Sequence, residues 1–234
     1  MEYSAHGITC SIQVYGDTTR CLPVVYVHTF DNQGGAIWAE CRKMQARQHL
    51  LVAIDGLRWD DCMTPWPTGQ LFKNNPPCSG CAGEWLQVLE QEIVPAVEAQ
   101  LHVKHRFIAG YSLAGLFALW SAYNTRLFSG IVSCSGSFWY PDFIPYVQAR
   151  DFIAPPSCIY FSLGDKETRL KNPVLNTVEE RTRWLCERYS RMGISTVFQL
   201  NNGNHYQQPA WRMARGIAWA LRQPAGDGLA AAGL

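Results

Sequence analysis

The stretch F-I-A-G-Y-S-L-A-G-L-F-A-L-W, residues 107 to 120, limits the fold more than any other part of the chain. It begins as an apolar run, passes through small and polar residues, and ends as an apolar, helix-like pattern. A strand that turns directly into a helix strains the residue at its apex and lets the two elements approach only where the neighbours are small. Gly110, Ala114 and Gly115 meet that demand around Ser112. Such a turn lifts the serine hydroxyl clear of the sheet and aims a helix N-terminus at it, where free N–H groups and the helix dipole favour negative charge. The backbone N–H of Leu113 is the first candidate oxyanion donor. The competing reading is a helix-capping serine in an ordinary turn. The motif also departs from G-x-S-x-G, with Ala114 in the place of the last glycine and Gly115 one step later.

The remaining patterns supply the strands and helices that such a turn needs. Residues 8 to 15 alternate apolar and polar, and residues 22 to 27 and 50 to 54 are short apolar runs separated by a helical segment over 37 to 48. Residues 107 to 109, 130 to 134, 159 to 163 and 196 to 200 read as further strands. Residues 84 to 100, with Pro95 as a kink, and 113 to 123, 178 to 192 and 211 to 221 read as helices. This alternation predicts an α/β fold, a mostly parallel, doubly wound sheet with helices on both faces. Residues 57 to 82 interrupt it as a long irregular excursion. One domain over residues 1 to 223 and a flexible tail over 224 to 234 are expected.

Twenty basic and 19 acidic residues leave a formal charge of +1, so no long-range field draws the protein to nucleic acid or to an anionic membrane. A small molecule, neutral or hydrophobic, is the expected partner. Residues 1 to 10 lack a basic start followed by an apolar core, and no apolar run reaches spanning length, so a cytoplasmic location is expected. Nine cysteines, an odd number in an otherwise ordinary composition, point to reduced thiols.

A serine hydroxyl is a weak nucleophile until a positioned base takes its proton and an acid orients that base. His205, in N-N-G-N-H-Y, is the only histidine after Ser112 and lies between the last strand and the last helix. For the acid, the loop G-D-K-E after residues 159 to 163 offers Glu167 and Asp165; Glu167 is favoured because it lies further past the strand end. The order Ser, acid, His is that of α/β hydrolases. A second oxyanion N–H is expected from the loop after residues 22 to 27, from Thr29 or Phe30. Trp139 follows a strand end on the same side of the sheet as Ser112, where ligands of such sheets bind.

With these residues assembled, the chain resembles the serine-esterase family of α/β-hydrolase fold that includes siderophore-ester hydrolases and feruloyl esterases. The resemblance rests on G-Y-S-L-A-G-L-F at 110 to 117, M-T-P-W at 63 to 66, S-G-S-F-W at 135 to 139, S-L-G-D-K-E at 162 to 167 and G-N-H at 203 to 205. It implies hydrolysis of a carboxylic ester through a Ser112 acyl-enzyme, with His205 as base and then acid, Glu167 in the acid position, and no cofactor. It also implies a substrate pocket beside Trp59, Asp61, Trp66, Tyr111, Phe138 and Trp139.

Two other classes of function compete. The same residues permit acyl transfer to an acceptor other than water, and a hydrolase scaffold can serve as a non-catalytic binding protein. Cys62, Cys78 and Cys81 crowd one loop, but Cys-x-x-Cys at 78 to 81 supplies only half of a structural zinc site and no second pair stands at comparable spacing. A thiol pair is the preferred reading, and no metal is expected.

Overall fold

Apolar β-branched runs pair into a sheet because each strand can then bury both faces under helices. In the computed structural model, which describes residues 1–70, 77–169, 172 and 174–224, eight strands form that sheet. Apart from residue 224, the predicted tail lies outside the described residues. β1 (Glu2–Ala5) and β2 (Ile8–Tyr15) make an edge hairpin, followed by β3 (Leu22–His28), α1 (Gly34–Lys43) and β4 (Leu50–Asp55). The excursion holds a short helix, α2 (Trp59–Cys62), and ends in α3 (Ala82–Val88). After α3 come a wide turn at Leu89–Ile93 and α4 (Val94–Glu98). Pro95 has no N–H to continue an α-helical ladder, and the wide turn immediately before it, closed by Val94 N–H on the Leu89 carbonyl, takes up the mismatch.

β5 (Val103–Tyr111), α5 (Leu113–Ser121), β6 (Gly130–Cys134), α6 (Phe143–Gln148) and β7 (Cys158–Gly164) follow. α7 (Val178–Arg191), β8 (Ser195–Asn201) and α8 (Pro209–Ala220) complete the order. Sequence patterns alone miss β1, α2 and α6, which are short. The sheet order is β1-β2-β4-β3-β5-β6-β7-β8, parallel from β4 to β8, with β2 antiparallel to β4.

Alternating strand residues feed two cores. Tyr26, Ile108, Ile131 and Phe161 face α3, α5, α6 and α7, whereas Val27, Ala109, Val132 and Tyr160 face α1 and α8. All nine residues of α5 are buried, and each fully buried leucine or phenylalanine in it, such as Leu116, Phe117 and Leu119, contributes about 1.5–3 kcal/mol. The register aligns His28 with Gly110, Tyr111 with Cys134, Cys134 with Ser162, and Gly164 with Asn201, so the loops after β3, β5, β6, β7 and β8 leave from one edge. The chain reverses its direction of winding between β3 and β5, which is where sheets of this kind open a crevice. No helix among the described residues is long and apolar enough to cross a membrane.

Candidate active site

At the end of β5 the chain turns within one residue. Ser112 adopts φ 59° and ψ −122°, a conformation that costs a non-glycine residue about 1–3 kcal/mol. The turn is held by Ser112 N–H on the Cys134 carbonyl at 3.0 Å, while the Ser112 carbonyl accepts from Gly115, Leu116 and Ser137 at 3.0, 3.1 and 3.1 Å. A side chain at Gly110 would bring its Cβ within 2.1 Å of the Ala114 carbonyl oxygen, so only glycine allows strand and helix this close. Leu113 opens α5, and its N–H has no earlier carbonyl in the helix to bond.

His205, on the loop between β8 and α8, places Nε2 3.1 Å from Ser112 Oγ. Its other nitrogen lies 2.8 Å from Glu167 Oε2, so Nδ1–H donates to the carboxylate and Nε2 is left to accept from the serine. Three contacts fix the loop. Tyr111 donates its hydroxyl to the His205 carbonyl at 2.8 Å, Asp165 accepts the Gly203 N–H at 2.8 Å, and Arg212 donates to the Asn204 carbonyl at 3.0 Å. Asp165, the alternative acid, is thus engaged with the loop's backbone, and Glu167 is the carboxylate that meets the imidazole.

Glu167 is 5% exposed. Its Oε1 accepts from Ser135 Oγ and Gly164 N–H, both at 2.6 Å, and from Arg212 Nη1 at 3.0 Å. Burial alone disfavours the charged carboxylate; the bonds from His205, Ser135 and Gly164 outweigh it and hold the Glu167 pKa below its usual value. Arg212, from α8, is fully buried and also donates from Nη1 to Tyr111 Oη at 2.9 Å and Ser135 Oγ at 3.2 Å.

A cavity of about 870 Å³ opens over these groups, with Phe30, Trp59, Asp60, Tyr111, Trp139 and Tyr206 among its walls. Three predicted pocket residues lie elsewhere. Phe138 is fully buried between Phe143 and Phe161; Trp66 donates its indole N–H to the Pro141 carbonyl at 3.0 Å and packs on Tyr146; Asp61 accepts the Ser79 N–H at 3.0 Å and pairs with Arg58. Of the two candidate oxyanion donors, Thr29 is engaged, its N–H bonding the Ile54 carbonyl at 2.9 Å. Phe30 lines the cavity, and no acceptor for its N–H is found among the described residues. His28, at the foot of the same loop, accepts the Trp85 indole N–H on Nε2, and burial pushes its pKa down to about 3, so it is neutral.

A family model described as "Putative esterase" matches residues 6–214. The chain belongs to this esterase family. The esterase is similar to the siderophore hydrolase EstA from Aspergillus nidulans, at 18% identity over 94% of this chain and 93% of that one, with a TM-score of 0.72. It is also similar to an IroE-like serine hydrolase from Shewanella oneidensis, at 19% identity over 91% of this chain and 75% of that one, with a TM-score of 0.71. A protein from Bacillus subtilis (strain 168), the uncharacterized YbbA, is 22% identical over 77% of this chain and 76% of its own. The two structural likenesses establish the α/β-hydrolase fold, and family membership makes the protein a carboxylic ester hydrolase.

The sequence patterns did not reveal Ser135, Ser137 or Arg212. Ser137 is buried with its Oγ 3.4 Å from Ser112 Oγ. Arg212 had one signal: it lies on the same helical stripe as Gly216 and Ala220, at i+4 and i+8, both buried. Cys62, Cys78 and Cys81 are free thiols, and burial pushes the Cys62 thiol up to about 11. Among the described residues no three His, Cys, Asp or Glu side chains are grouped to hold a metal ion.

Proposed function

We propose that this esterase hydrolyses small-molecule carboxylic esters through an acyl-enzyme on Ser112. The observation that carries the reading is the continuous line from Glu167 Oε2 through both nitrogens of His205 to Ser112 Oγ, at 2.8 and 3.1 Å. In the first step Ser112 Oγ attacks the ester carbonyl carbon while His205 Nε2 takes its proton. The ionised Glu167 stabilises the imidazolium that forms. The negative charge on the carbonyl oxygen is met by the N–H groups of Leu113 and Phe30, a type of contact worth about 2.7–4 kcal/mol per donor. Collapse of the tetrahedral adduct breaks the C–O bond, and His205 returns the proton to the departing alcohol. Water then repeats the sequence on the acyl-enzyme, His205 taking its proton and giving it back to Ser112 as the acid leaves.

The cavity volume of about 870 Å³ falls within the range of small-ligand sites, about 300–1,000 Å³, and its aromatic walls suit an aryl or acyl group. A panel of 4-nitrophenyl, aryl and siderophore esters would define the acyl and alcohol preference, the last being the class named for the Aspergillus nidulans relative. The test of the mechanism is covalent. A fluorophosphonate probe is expected to label folded protein stoichiometrically and Ser112→Ala not at all. Folded wild-type protein that takes up no probe would refute the proposal.

A further inference from the structure

Two charged side chains on the cavity wall, Asp60 and Lys166, have no part in the ester chemistry. Asp60, in α2, is half-buried beside Trp59 and lines the cavity that holds Ser112. Its neighbour Asp61 points away and is satisfied by Ser79 and Arg58. The Asp60 carboxylate has no hydrogen bond or ion pair among the described residues; only its backbone carbonyl is engaged, by the Thr64 hydroxyl. Burial, and then the nearby Asp61 charge, raise its pKa. A partly desolvated carboxylate without a partner is costly, and a ligand that excludes more water makes it costlier unless that ligand brings the missing charge.

The surroundings select the kind of charge. Trp59 and Phe30 both line the cavity, their rings 5.6 Å apart and set at 70° to each other, and Trp139 and Tyr206 add further aromatic wall. Ring faces attract cations through their quadrupole, and next to a carboxylate they make a site for a positively charged nitrogen. Lys166 also lines the cavity, but it is exposed and makes no ion pair with Asp60.

We propose that Asp60, Trp59 and Phe30 form a subsite for a cationic nitrogen, so that this esterase prefers esters bearing an ammonium group to their uncharged isosteres. The inference rests on the esterase reading of Ser112, and it departs from the neutral or hydrophobic partner expected from net charge by giving the small molecule a positive charge.

A choline ester and the 3,3-dimethylbutyl ester of the same acid have nearly the same shape and differ by one charge. Wild type is expected to favour the choline ester by about tenfold in kcat/KM, expressed in KM, and Asp60→Asn to bring the ratio close to one. Asp61→Asn, one residue away and outside the cavity, is expected to keep the preference. Phenyltrimethylammonium probes the subsite without an ester: it should compete with 4-nitrophenyl acetate in wild type and bind about tenfold more weakly to Asp60→Asn. Equal kcat/KM for the two esters in wild type, or a preference that survives Asp60→Asn, overturns the subsite. Failure of the esterase reading has a different signature, which is no turnover of 4-nitrophenyl acetate and no labelling of Ser112.

Discussion

Arg212→Met removes the one cation in the buried network behind His205 while keeping most of the side chain's volume. In the native protein the guanidinium is fully buried, pairs with Glu167 at 3.0 Å, and bonds Tyr111 and the Asn204 carbonyl at 2.9 and 3.0 Å. Deleting one partner of a buried pair leaves the other uncompensated, at about 3–5 kcal/mol. Glu167 retains its bonds from Ser135, Gly164 and His205, which places the loss toward the lower end. For a chain of 234 residues each kcal/mol moves Tm by about 2–4 °C, so a loss of about 3–4 kcal/mol is expected to lower Tm by roughly 6–16 °C by calorimetry. The pH dependence follows from the sign. Glu167's folded pKa lies below its usual value of 4.5, so its ionisation stabilises the fold above that value, and the contribution is lost as pH falls through the folded pKa. Without the Arg212 charge the folded pKa rises, and acid unfolding should begin at higher pH in the variant. Arg212→Lys keeps the charge but not the fork that reaches both Glu167 and Asn204, so it should recover part of the stability and less of kcat. A double-mutant cycle with Glu167→Gln isolates the pair. An Arg212→Met protein within about 1 kcal/mol of wild type, with unchanged kcat and unchanged acid transition, would refute the idea that this cation holds the acid in place.

Glu167→Gln is expected to lower kcat by orders of magnitude, about 10⁴-fold by analogy with amide replacement of a triad acid, whereas Asp165→Ala should cost far less because Asp165 only anchors Gly203; steady-state rates on one 4-nitrophenyl ester decide between them. The reverse order would move the acid assignment to Asp165. Gly110→Ala should destabilise the fold by about 3 kcal/mol or more, because its new methyl meets the Ala114 carbonyl at 2.1 Å and neither backbone can yield without displacing Ser112; denaturant unfolding measures it.

The parts of the site that the sequence reveals are those written into one short window each. Gly110 must be small because of Ala114 four residues on, so the Ser112 turn declares itself locally, although Gly115 is also kept small by Ser133 Oγ and the Gly136 backbone on the next strand and loop. Glu167, with Asp165 beside it, and His205 stood out as candidates because each follows a short apolar run that reads as a strand. The pocket wall was less so. Successive residues of a helix differ by about 100° in direction, and nothing in W-D-D-C says that residues 59 and 60 face the cavity while residue 61 faces Ser79. Phe138 and Trp139 are adjacent, yet one fills the core and the other lines the cavity. Nothing in the sequence says that the Thr29 N–H completes a contact to β4 while the Phe30 N–H does not. Arg212 was hard to read for a different reason: an arginine in an amphipathic helix ordinarily belongs to the solvated face, and only its stripe with Gly216 and Ala220 spoke against that.

These differences divide the machinery in two. The proposed nucleophile is held by local sterics: a strained Ser112, a glycine where no side chain fits, and a helix buried on every side that keeps the strain from relaxing. The proposed base, His205, is held by polar bonds to its loop, from Tyr111 to the His205 carbonyl across 94 residues of sequence, from Asp165 to Gly203 across 38, and from Arg212 to Asn204 across eight. A hydroxyl gains nothing from an imidazole that is not aimed at it, so the two sets must be built to a common frame. Tyr111 supplies it. It is the last residue of β5, adjacent to Ser112, and its hydroxyl both fixes the histidine loop and accepts from Arg212. The residue that ends the strand before the proposed nucleophile thus also fixes where the proposed base stands.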